Sequence, residues 1–135
     1  MASKGSIATL FLSVLLASCM QDAAIDVSKR GPAITIQASR PGAEAVCVKS
    51  LTVTLDGADI AQTPPVWELS TARPDRCEST FTYGVAPTGY TQAHPAPALT
   101  ISTKYLVEAS GPGLLSGATF TMRAQDGVLT DKPAG

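Results

Sequence analysis

The chain has 135 residues, 10 Lys and Arg against 11 Asp and Glu, and a formal net charge of −1, with 44% hydrophobic residues. That length suits one domain with one core. A near-neutral chain without clustered cations is a poor nucleic-acid binder, so that class is excluded.

The first element is the run "LFLSVLLASCMQD". The apolar stretch that leads through it, Ile7 to Ala17, falls far short of the roughly 20 residues that a bilayer-spanning helix needs. It shows no amphipathic period, which argues against a buried globular helix. Lys4 ahead of it and Ala17-Ser18 behind it complete the three-part plan of a secretory signal.

The segment ends Leu16-Ala17-Ser18-Cys19, which resembles the lipobox of bacterial lipoproteins. The resemblance implies cleavage after Ser18 and acylation of Cys19, which becomes the first residue of the mature chain. A thiol is the side-chain nucleophile best suited to that transfer near neutral pH. One fatty chain holds a protein only marginally, whereas two or three hold it stably. Residue two of the mature chain is Met20 rather than Asp, which by the family's sorting rule favours the outer membrane. The expected location is therefore the bacterial envelope, lipid-anchored, facing the periplasm or the exterior.

Removing residues 1–18 from 135 leaves 117, and loss of Lys4 takes the formal charge to about −2. Residues 19–32 are expected to form a lipidated tether, polar and closed by Gly31-Pro32, with the domain over 33–135. Lys29-Arg30 is the only basic pair in that stretch, too small for a polybasic membrane patch. With Cys19 acylated, Cys47 and Cys77 remain. In an oxidising compartment a lone pair of thiols is expected to form a disulfide. Their spacing matches no zinc site, and the single histidine, His94, cannot complete four ligands.

From Pro32 onward the pattern is β. "AITIQAS" alternates with a period of two and predicts a half-buried strand. "VCVKSLTVTL" predicts a second, ended by Asp56-Gly57. Its alternation slips: Val46 and Val48 point opposite to Leu51, Val53 and Leu55. Either a bulge near Lys49-Ser50 turns both sets inward, or Lys49 faces the core. "PPVWELST" and "STFTYG" follow, with Trp67 and Leu69, then Phe81 and Tyr83, on single faces. "APALTI", "KYLVEAS" and "ATFTMRAQ" are three more, with "GPGLLSG" as the turn between the last two. Asp126-Gly127 introduces a further short strand, "VLT". Seven or so short strands between turns predict an all-β antiparallel sandwich.

"LTISTKY" places Leu99 six residues before Tyr105. It is similar to the tyrosine corner of fibronectin type III and related immunoglobulin-like domains, with Ile101-Ser102 where that family usually carries Pro-Gly. The resemblance implies an immunoglobulin-like or fibronectin-like sandwich in which Tyr105 opens strand F and returns its hydroxyl to nearby backbone. Tyr105, Val107 and Ala109 would face inward, and Trp67 would take the core tryptophan's place on strand C. Val107 stands where an immunoglobulin domain carries its second cysteine, so a Cys47–Cys77 bridge would differ from the usual one between strands B and F. It would tie strand B to the loop after strand C.

Candidate chemistry is sparse. His94 lies in "QAHPAP" and would need a carboxylate and a nucleophile to act as a base. Asp56 and Asp59 could supply two oxygens to calcium, which wants six to eight. "GPGLLSG" lacks the Lys-Ser/Thr of a phosphate loop. The stretch "TYGVAPTGYTQAHPAPA" is a long Pro/Gly-rich connection that would display Tyr90 and His94, with Tyr83 at its edge, as a possible binding loop. No catalytic residue, metal ligand set or cofactor is assigned. The expected function is a non-catalytic binding or structural module, anchored in the membrane by its acyl chains, with an envelope protein or glycan as partner. The alternatives are a lipid or small-ligand carrier, or a hydrolase accessory using His94.

Overall fold

The computed structural model describes residues 23–42, 46–123 and 127–133, the last five of these by their backbone alone. Residues 1–18, Cys19 and Asp126 lie outside the described residues. Nine strands are formed among those described: β1 Ala24–Arg30, β2 Ala33–Ser39, β3 Ser50–Leu55, β4 Trp67–Ser70, β5 Thr80–Thr82, β6 Thr91–Gln92, β7 Lys104–Gly111, β8 Leu114–Met122 and β9 Val128–Pro133. They make two antiparallel sheets, β1-β2-β5 and β6-β4-β3-β7-β8-β9.

This order is that of an immunoglobulin-like sandwich. β1, β2 and β5 hold the places of strands A, B and E, and β3, β7 and β8 those of C, F and G, with β4 as C′. β6 and β9 extend the larger sheet at its two edges. Alternation dictates which side chains meet between the sheets. Ile25, Val27, Ile34, Ile36 and Phe81 come from one inner face; Leu51, Val53, Trp67, Leu69, Tyr105, Val107, Ala109 and Phe120 come from the other, all buried. Tyr105 and Phe120, opposite each other on β7 and β8, stack with centroids 5.5 Å apart.

The expected tether is corrected at its C-terminal part. Residues 24–30 form β1, paired along its whole length with β2 from Ala24↔Ser39 to Arg30↔Ala33. "AAIDVSKR" looks polar, yet Ala23, Ile25 and Val27 sit on one face at period two and all three are buried. Gly31-Pro32, read as the tether's end, is the hairpin turn, with Gly31 at φ 56°. The strand letters therefore move by one. "AITIQAS" is B, the strand from "VCVKSLTVTL" is C rather than B, and Trp67 lies on C′ rather than C. It nevertheless fills the core at 0% exposure, its Nε1–H donating to Gln92 Oε1 at 3.0 Å.

The slip in "VCVKSLTVTL" is resolved by a change of sheet. Val48 N–H donates to Glu78 O on the β5 side, and the next amide, Lys49 N–H, donates to Ser110 O of β7. Val46, Val48, Leu51 and Val53 are thereby all buried, whereas Leu55 ends exposed. Lys49 does not enter the core. Its ammonium donates to the carbonyls of Arg73, Pro74 and Arg76, capping that loop. Cys47 and Cys77 are disulfide-bonded with Cα atoms 4.6 Å apart. The bridge ties the arm before strand C to the C′–E connection, away from the B–F position.

Two other expectations are corrected. "APALTI" forms no strand; the edge position beside β4 is taken by Thr91–Gln92. Pro95 and Pro97 flank Ala96 at the start of this stretch, and neither has the amide donor that a ladder would need. "GPGLLSG" is not a long turn, since Gly111 pairs with Leu114 and the hairpin tip is Pro112-Gly113 alone. β9 extends beyond "VLT" to Pro133.

Candidate functional site

The connection from Tyr83 to Thr103 is held by its own aromatic residues. Tyr83 packs edge-on against Trp67, centroids 5.2 Å apart, and its hydroxyl donates to Pro97 O at 2.6 Å. Tyr105 Oη accepts from Thr100 N–H at 2.8 Å, the hydrogen bond that the tyrosine-corner resemblance implies. Leu99 packs against the core beside it. Ser102, in the place of the family's glycine, adopts φ 61°, the left-handed conformation that a glycine takes at less cost.

Tyr90 is not displayed as expected. It is buried, its hydroxyl donating to Val48 O at 2.5 Å and accepting from Glu78 N–H at 3.1 Å. It thus clamps the two residues that form the isolated bridge beside the disulfide. Tyr90→Phe removes the partner of one buried carbonyl and one amide, and should lower stability by about 1–3 kcal/mol in chemical denaturation. An unchanged midpoint would show that water replaces the hydroxyl without loss.

Burial pushes the Tyr83 phenol up to about 12, with Tyr105 adding to the rise. The Tyr90 phenol is also raised, chiefly by burial; the bond from Glu78 N–H opposes the shift and the Glu78 carboxylate adds to it. Both groups hold their protons more tightly folded than unfolded, where a tyrosine titrates near about 10. Stability should therefore be intact below about pH 10 and fall between about pH 10 and 12 as the unfolded chain loses protons first. Urea melts across that window should show the fall, and Tyr83→Phe should flatten it. A flat profile in the parent would contradict these shifts.

His94 is exposed, and its ring nitrogens lie 3.1 Å from the carbonyl oxygens of Pro95 and Pro65. These are main-chain acceptors, not the carboxylate and nucleophile of a hydrolytic site. Asp59 Oδ1 accepts from Ala61 N–H at 3.0 Å within its own turn. Among the described residues, no group of three or more His, Cys, Asp or Glu side chains is placed to hold a metal ion.

The surface has a feature that strand-by-strand reading missed. Among the described residues the exposed large apolar side chains are Leu55, Ile60, Val85, Ile101 and Leu115. The sandwich has a near end, where Ala23 enters, and a far end about 23 Å away by the length of a seven-residue strand. Leu55 lies opposite Tyr105, and Asp56 N–H donates to Lys104 O. Ser102 N–H donates to Met122 O, and Tyr83 N–H to Ile34 O. These contacts bring Leu55, at the end of β3, and the loop residues Ile60, Val85 and Ile101 to the far end, from a stretch of 47 residues of sequence. No sequence spacing announces this shared end, because only the antiparallel return of the strands assembles it.

Comparison of the chain with protein-family models, curated proteins and solved structures returns no match. The class is thus defined by strand order and inner-face packing alone: an antiparallel immunoglobulin-like sandwich.

Proposed function

We propose that this chain is an envelope lipoprotein, acylated at Cys19, whose sandwich serves as a non-catalytic binding or structural module. Its partner is another envelope protein or a surface glycan. The observation that carries this reading is the group of exposed apolar side chains at the far end, Leu55, Ile60, Val85 and Ile101. Exposed apolar groups that share one end of a sandwich suit partner recognition. The space between the sheets is occupied by Trp67, Phe81, Phe120 and Tyr105, which favours a packed module over a carrier enclosing a ligand.

Cys19→Ser should release the chain from membranes or leave it unprocessed; unchanged fractionation and processing would reject acylation. A pull-down from detergent-solubilised envelopes should recover a protein or glycan, and Ile60→Asp should abolish the recovery. Recovery of lipid alone would favour the carrier.

A further inference from the structure

Because β1 starts at Ala24, little chain separates the sandwich from Cys19. Only Met20, Gln21 and Asp22 lie between Cys19 and Ala23. Four Cα–Cα steps reach at most about 14 Å, against about 40 Å had all of residues 20–32 been extended tether. Ala23 itself is fixed: it is buried, and its carbonyl accepts from the Ser116 hydroxyl on β8. The neighbour of Ser116 is Leu115, at 71% the most exposed large apolar side chain among the described residues.

Cations stand around this end. Arg40 reaches the β7–β8 hairpin tip, Nη2 donating to Gly113 O at 2.6 Å. Arg73 and Arg76 lie in the loop that follows β4, where Arg73 pairs with Asp75 at 3.1 Å. Glu78 is the other acid of that loop, so the local field is modest and the apolar contact must add to it. An exposed leucine that shares its end of the sandwich with guanidinium groups suits a phospholipid interface, where the leucine enters the acyl boundary and the guanidinium groups meet phosphates.

We propose that the near end of the sandwich, with Leu115, Arg40, Arg73 and Arg76, rests on the phospholipid headgroups of the membrane that anchors the chain. This rests on the acylation reading. It orients the molecule, holding Leu55, Ile60 and Ile101 away from the bilayer, where a partner reaches them.

The test uses the full acylated protein in phosphatidylglycerol vesicles, with Leu115→Trp or Ile60→Trp as reporter and bromine on the upper acyl chain as quencher. Trp67 contributes a constant buried background. The Leu115→Trp emission should shift to the blue and be quenched, and the Ile60→Trp emission should not. Arg40→Glu with Arg73→Glu, or high salt, should reduce the quenching while the melting temperature holds. Equal quenching at the two positions in a chain whose mass shows acylation would overturn the orientation and leave the anchor standing. An unmodified Cys19 would overturn both.

Discussion

Gly111→Ala should destabilise the domain by at least about 3 kcal/mol, or leave it insoluble. A Cβ at Gly111 would lie 2.1 Å from the Cys47 carbonyl oxygen and 3.2 Å from its carbon. Both are backbone atoms, so no rotamer change can yield. Cys47 is fixed by its disulfide, and the amides of Val48 and Lys49 just beyond it are bonded into different sheets. Relief would require the β7–β8 hairpin tip to lift away from the arm, breaking the Lys49 N–H bond to Ser110 O. Gly117→Ala, in the same hairpin, is the control. Its Cβ would meet Val107 O at 3.4 Å, an ordinary contact, and the change should stay within about 1 kcal/mol. Thermal melts should separate the two by more than about 10 °C for a domain of this size. Similar melting temperatures would mean that the near end is looser than its hydrogen bonds indicate.

Cys77→Ser should lower stability by about 3 to 4 kcal/mol, because the bridge closes a loop of 30 residues and restricts the unfolded chain. The native state has its own reason to depend on it. Between Val46 and Lys49 the chain leaves one sheet for the other, and it meets the β5 side only through the Val48↔Glu78 bridge. Tyr90 and the Lys49 ammonium secure that crossing from either side. With the covalent tie gone these contacts must hold it alone. The melting temperature should fall markedly, and adding Cys47→Ser should cost nothing more. A melt equal to the parent's would show that the bridge contributes no net stability.

The residue pattern by itself determined the secondary-structure class and most strands. Alternation over "AITIQAS", "KYLVEAS" and "ATFTMRAQ" is a local property, set by the opposite orientation of successive side chains. The turn at Asp56-Gly57 was legible for the same reason, and the pairing of Cys47 with Cys77 followed from the oxidising compartment that the N-terminal segment led one to expect. The tyrosine corner was legible because its hydrogen bond closes over five residues.

What the tertiary structure decided is everything that depends on a distant partner. "AAIDVSKR" has too few large apolar residues to mark a strand, and becomes one because β2 offers a full ladder and β8 and β9 lie against it. Tyr90 reads as a surface residue in a Pro/Gly-rich loop, yet Val48, 42 residues earlier, supplies the acceptor that draws it inside. Leu55, Ile60, Val85 and Ile101 become one end only when antiparallel strands return their loops to a common level. Burial and proximity are properties of the folded pair, so a single strand's pattern cannot carry them.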